Sequence, residues 1–334
     1  MRSIRFMPFL IMTLCMGFCQ ANNSESTEKY PLINKAINET IRTMHYSPKE
    51  LNDAFSESVF DEYIKRLDYF KRFLIKSDIG ELKKYRDKID DQVIENALDF
   101  FNLSNDLIVG RINEAESYYK EILSKPFDYA DDEEYIIDPE DFDFAADKAE
   151  LKEYWRKGLK YEAMTRIVSD LETQEKAKEN KDTTVKIMPF DSLEKNARER
   201  LSERYKSYFH RLAKITKDDR FADYMNSIAM VNDPHTNYFP PKDKEDFDIS
   251  ISGSLEGIGA ILTQRDEYVK VESIVPGGPA YKQGELKAGD LILKVAQGEA
   301  EPVDVIDMRL DDAVRLIRGR SEERRVGKEC RSRW

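Results

Sequence analysis

Prolines at 234, 240 and 241 mark a change of periodicity that no single class of fold spans. Each proline pushes the residue before it out of helical space, so Asp233–Pro241 is turn and extended chain. Upstream, residues 31–230 carry apolar side chains at helical spacing with almost no strand signal. Downstream, from Asp248, short alternating runs are broken by frequent glycine. The expected class is therefore multidomain α+β, an irregular all-α N-terminal domain followed by a β-rich module.

In the helical part, Ser47-Pro48-Lys49-Glu50 reads as a capping box with proline at the first helical position, and Leu51, Phe55, Val59 and Tyr63 follow at helical intervals. Further helices are expected near 79–95, 96–123, 147–175 and 191–230, the last opened by Asp191 with Glu194 three residues on. No fixed repeat appears, which argues against a solenoid. The run Asp128–Asp147 holds ten Asp or Glu interleaved with aromatics. Such density could hold a hard cation, but no glycine stands where a calcium loop turns, so a solvated acidic linker is expected. Residues 176–188 read as a mobile polar loop. Trp155 is expected to pack in a helical core.

Both ends stand apart. Arg2 and Arg5 precede an apolar run from Phe6 to Phe18, with Cys19-Gln20-Ala21 as a cleavage site, so residues 1–21 read as a secretory signal. A lipoprotein is disfavoured because Phe18 occupies the position before Cys19 that wants a small residue. Residues 320–334 have no apolar period and match one frame of a short-read sequencing adapter. The chain carries a net charge of −12, and both ends are net basic, so the segment between them is more acidic still. That balance argues against nucleic-acid binding. Its cysteines are Cys15, Cys19 and Cys330, which leaves residues 22–319 without disulfide, thiolate metal site or cysteine nucleophile. An exported, acidic, cysteine-free segment fits a bacterial periplasm. His45, His210 and His235 have no metal-ligand spacing, and neither a nucleophile elbow nor a Walker loop occurs. No cofactor is expected.

In the β-rich part, Ile258–Leu262, Val269–Ser273 and Leu291–Val295 read as strands, Pro276-Gly-Gly-Pro279 as a turn and Arg309–Arg318 as a helix, in a module beginning near 245. Ser254-Leu-Glu-Gly-Ile-Gly-Ala260, Val275-Pro-Gly-Gly-Pro-Ala280, Ala288-Gly-Asp290 and Leu316-Ile-Arg-Gly319 stand in an order that resembles a PDZ domain. Glycines let consecutive N–H groups turn toward one point and hold an anion without a basic side chain. The resemblance makes Gly257, Ile258, Gly259 and Ala260 a carboxylate-binding loop. A peptide would add as a strand beside Ile258–Leu262. Val314 and Ile317, with Leu310, are the candidate groove wall.

The wider resemblance is to the tail-specific, or carboxy-terminal processing, proteases. It rests on Leu67-Asp68, Phe73-Leu74, Ser77-Asp78-Ile79, Asp233-Pro-His-Thr236 and Tyr238-Phe239. The domains expected are a signal at 1–21, a helical domain at 22–240, an incomplete PDZ domain at 241–319 and the adapter tail at 320–334. The resemblance implies an exported serine endopeptidase that selects proteins by their C-termini. In the family the Ser–Lys pair follows the PDZ domain. Ser321 and Lys328 lie in the adapter, so no catalytic residue is assigned and the fragment is expected to be inactive. C-terminal tails of exported proteins are the expected partners, with an adaptor lipoprotein as a further one. Neither nucleic acid nor a stable membrane span is expected. The alternative is a non-catalytic exported PDZ scaffold. A sheet lacking its closing strand is expected to leave the module poorly ordered beside a stable helical half.

Overall fold

The computed structural model describes residues 24–252, 257–298 and 300–318. The secretory-signal and adapter readings lie outside the described residues, as do Ser254, Leu255, Glu256 and Gly319. Among the described residues, eight α-helices build the helical domain: α1 (Ser24–Met44), α2 (Asp53–Leu67), α3 (Lys76–Leu82), α4 (Ile89–Glu95), α5 (Asp99–Leu123), α6 (Lys148–Glu179), α7 (Phe190–Ala213) and α8 (Lys217–Asn232). They share one core. At one end α1, α2, α4 and α8 pack around Tyr30, Tyr63, Phe100, Phe101, Phe221 and Tyr224. At the other α5, α6 and α7 enclose Tyr119, Trp155, Tyr205 and Phe209. α5, long enough to reach both ends, joins the two groups. Rings meet edge-on or offset, as at Tyr63–Phe100 (5.5 Å between centroids) and Tyr119–Phe209 (5.2 Å), arrangements that stabilise by about 0.5–1.5 kcal/mol beyond their burial.

The helix boundaries correct several expectations. Ser47-Pro48-Lys49-Glu50 does not open α2. Asn52 caps it, its side chain accepting from Phe55 N at 3.0 Å, although Phe55, Val59 and Tyr63 are buried as their spacing requires. The stretch expected as a helix at 79–95 is interrupted by a 3-10 turn at Lys83–Tyr85. The stretch at 191–230 breaks at 214–216, where Thr216 and Asp219 form a capping box that opens α8. α7 begins at Phe190, so Asp191 lies inside its first turn rather than capping it. α6 runs to Glu179 and takes in the start of the expected polar loop. Trp155 is 3% exposed, and its indole N–H donates to Arg72 O at 2.8 Å, which makes it the core residue expected.

Two acids of the sequence motifs shape the corner between α2 and α3. Asp68 is 5% exposed, and its carboxylate accepts from Arg72 N (2.9 Å), Phe73 N (2.9 Å) and Leu74 N (2.8 Å). Burial pushes this carboxyl's pKa upward, and the three amides oppose that shift. Asp78 accepts from Ile75 N at 3.0 Å and takes a two-pronged bond from Arg111 at 2.7 and 2.9 Å.

The acidic run is no free linker. Glu133 binds Arg156 and also Lys160 (2.7 Å); Lys76 pairs with Asp143; and Ala145 bridges Ile75 in parallel. Gly158 on α6 admits the Tyr135 ring, since a Cβ there would stand 3.0 Å from the phenol oxygen. The segment is a strap across α6, with a cavity of about 310 Å³ beneath it that Tyr135, Phe142, Tyr154 and Lys157 help to line. The Arg156 and Lys160 side chains hold the Glu133 carboxyl down from 4.5 to about 2. A depressed folded value means that the clamp acts fully above about pH 4.5 and is lost as pH falls toward 2. Amide exchange across 131–145, corrected for intrinsic rate, should therefore accelerate over that window. Glu133→Gln should exchange fast already at pH 6, and equal rates in the two proteins at pH 6 would remove the clamp from the account.

Beyond α8, α9 (Pro241–Ser252) is a helix in a stretch whose end, from Asp248, was read as alternating. β1 (Ala260–Arg265), β2 (Tyr268–Ile274) and β3 (Leu291–Ile292) form an antiparallel sheet in the order β1-β2-β3, and β4 (Lys294–Val295) pairs with β5 (Val303–Asp304). The single strand expected at 291–295 is thus divided between two sheets, and β5 was not anticipated. The β1–β2 register shifts between Ile261 and Leu262, where Glu272 of β2 forms a bulge. α10 (Pro279–Gln283) follows the glycine turn and α11 (Leu310–Arg318) packs on β1, over a small core of Val269, Val271, Ile292, Val305 and Ala313. The multidomain α+β class stands.

Candidate functional site

The candidate site lies between α11 and the edge of β1 that pairs with no other strand among the described residues. Gly259 takes φ +73°, a left-handed conformation that glycine adopts at little cost, and its surroundings leave no room for a side chain. A Cβ would stand 2.9 Å from Pro279 Cδ and 3.0 Å from Gly278 Cα. This close approach locks the loop onto the glycine turn. Ile258 O accepts from Ala280 N at 2.8 Å, and Gly259 O accepts from Val275 N at 2.9 Å. A trans peptide holds its N–H opposite its C=O. With the carbonyls of Ile258 and Gly259 committed inward, the N–H groups of Gly259 and Ala260 point away from the turn and from β2, toward the open edge. Only the carbonyl of Gly259 meets Val275; Val275 O accepts instead from Gly278 N at 3.0 Å, so the regular two-bond exchange of a ladder is broken at this left-handed residue.

α11 supplies the other wall. Leu310, Val314 and Ile317 recur on one helical face. Leu310 and Ile317 pack against the core that Ile258, Ala260 and Leu262 also touch, whereas Val314 is half-buried and outside that cluster. Arg318 reaches the loop, its Cγ standing 3.9 Å from where a Cβ on Gly257 would be. The negative end of the α11 dipole thus meets the loop with Arg315 and Arg318 in its last turn to offset it. Gly257, Ile258, Gly259, Ala260 and Ile317 are brought together around this edge. Leu262 and Arg318 also belong to the surroundings. Leu262 could have been found by its two-residue offset from Ala260.

The motif Asp233-Pro-His-Thr236 is held against the helical domain. Asp233 accepts from His235 N at 2.6 Å, Thr236 Oγ1 lies 3.1 Å from His45 Nε2, and Tyr238 exchanges two bonds with Asn226 (2.7 and 3.1 Å). No cluster of metal-ligating side chains occurs among the described residues, and none of their helices is long and apolar enough to cross a membrane.

A helical domain followed by a strand edge, a glycine loop and a facing helix defines a PDZ-bearing protein of two parts. Residues 37–242 match the family described as the tail specific protease N-terminal domain and residues 243–326 match the PDZ domain; the chain belongs to the tail-specific protease family. It is 32% identical over 295 residues to a tail-specific protease of Haemophilus influenzae, an alignment covering 88% of this chain and 39% of that protein. It is 36% identical over 107 residues to the carboxy-terminal processing protease CtpA of Bacillus subtilis, covering 31% of this chain and 22% of that protein. A solved PDZ domain of a Vibrio cholerae carboxy-terminal protease, in complex with peptide, is 49% identical over 20% of this chain and 66% of its own, with a TM-score of 0.19. The chain thus spans well under half the length of these two curated relatives, both of which are proteases.

Proposed function

We propose that this chain is the substrate-selecting part of an exported serine endopeptidase of the periplasm, which captures proteins by their C-termini for degradation or processing. The observation that carries the reading is the pair of N–H groups at Gly259 and Ala260 aimed at the open edge of β1. There they would receive a terminal carboxylate while the peptide pairs with the strand and its last side chain meets Ile317. The Ser–Lys pair that the family implies is assigned to no residue of this chain, so the role proposed for the chain itself is capture. A fluorescent peptide with an apolar last residue tests it by anisotropy. The free acid should bind at least about tenfold more tightly than its C-terminal amide, a difference of about 1.4 kcal/mol. Equal affinities would overturn carboxylate capture.

A further inference from the structure

Among the described residues, the β-rich module meets the helical domain at a charged corner. Asp307, in a left-handed turn (φ +61°), sits between two side chains of the α7 end: its Oδ1 lies 2.8 Å from Lys214 Nζ and 2.5 Å from His210 Nε2. Neither nitrogen is angled for a good hydrogen bond, so the Lys214 charge and the close approach of the His210 ring carry the contact. Arg309 pairs with Asp219 in the first turn of α8 and reaches Lys214 O at 3.4 Å. Ser207 Oγ approaches Asp266 at 3.4 Å in the β1–β2 turn, whose Glu267 O accepts from Asp307 N at 2.6 Å. Residues 307–309 lead directly into α11, the wall of the groove.

We infer that this corner is an electrostatic latch that ties the groove helix to the helical domain, so that docking of the module and occupation of the groove are coupled. The latch holds the first residues of α11 against α7 and α8, and a wall already in place spares the peptide the cost of ordering it. By linkage, a bound peptide holds the latch shut. The coupling rests on the peptide-capture reading; the latch itself does not. Because Asp307 and the Arg309–Asp219 pair are partly exposed, salt weakens it.

Hydrogen exchange of the α11 amides in the full chain, without peptide, tests the latch. Asp307→Asn keeps a residue that tolerates the left-handed turn, and Lys214→Gln removes the partner charge. Each should speed α11 exchange about threefold at low salt, with the double variant no faster than either single one. Wild type in 1 M salt should approach the same rate, while exchange in α5 stays unchanged. Unaltered α11 exchange in the single variants, or additive effects in the double, would overturn the latch. The free-acid peptide tests the coupling: its affinity should fall about threefold in each single variant and no further in the double. If wild type binds the peptide and the variants bind it equally well, the coupling fails although capture stands. If wild type binds no peptide, capture and coupling fall together, and exchange alone decides the latch.

Discussion

Asp68→Ala is expected to destabilise the helical domain by about 3–5 kcal/mol, enough to unfold a marginal chain at growth temperature. Three buried amides, those of Arg72, Phe73 and Leu74, lose their shared acceptor at once, and no water-facing route replaces it in a corner 5% exposed. The damage spreads because Arg72 O receives the Trp155 indole, and the Trp155 ring contacts Tyr205 and Phe209. Asp68→Asn tests the polarity of the site at constant shape: its NH₂ faces amide N–H groups, so it should recover only part of the loss. Urea unfolding followed by helical circular dichroism reads both. An unchanged midpoint for the alanine variant would show that the corner is ornamental to stability.

Gly259→Ala is expected to weaken binding of the free-acid peptide at least about tenfold while the helical domain keeps its stability. Its Cβ would fall 2.9 Å from Pro279 Cδ and 3.0 Å from a backbone carbon, so the loop must lift away from the glycine turn and its outward N–H groups lose their aim. Gly277→Ala is the control. It faces the same left-handed penalty, at φ +79°, but nothing lies within 4 Å of its Cβ, so the strain of about 1 kcal/mol appears in stability and leaves affinity within about threefold. Equal losses from the two substitutions would mean that backbone strain, not the closeness of loop and turn, governs the site.

Much of this architecture was legible because its signals are local. Apolar spacing marks α5 and α6, and glycines with prolines mark the loop and turn around β1. The misreadings have local causes too. Ser47 and Glu50 offered a capping box that lost to Asn52, and the Thr216–Asp219 box that splits α7 from α8 was present but obscured by a continuous helical pattern. The acidic strap was misjudged because the cations that bind Glu133 lie more than twenty residues away, and composition records no pairing. Distance in sequence likewise hides the corner of His210, Lys214 and Asp307. β5, only two residues long, carries too little pattern to announce itself.

The bulge opposite Ile261 and Leu262 sets a length scale for what the β1 edge can accept. Bulges sharpen local twist, and β1 is only six residues long, so its free edge curves away from any long flat partner within a few residues. A short tail anchored at one end follows such a curve. The extended strands from which chains stack into aggregates do not. The geometry that would confine a captured tail to its last few residues therefore also guards an exposed strand against its own copies.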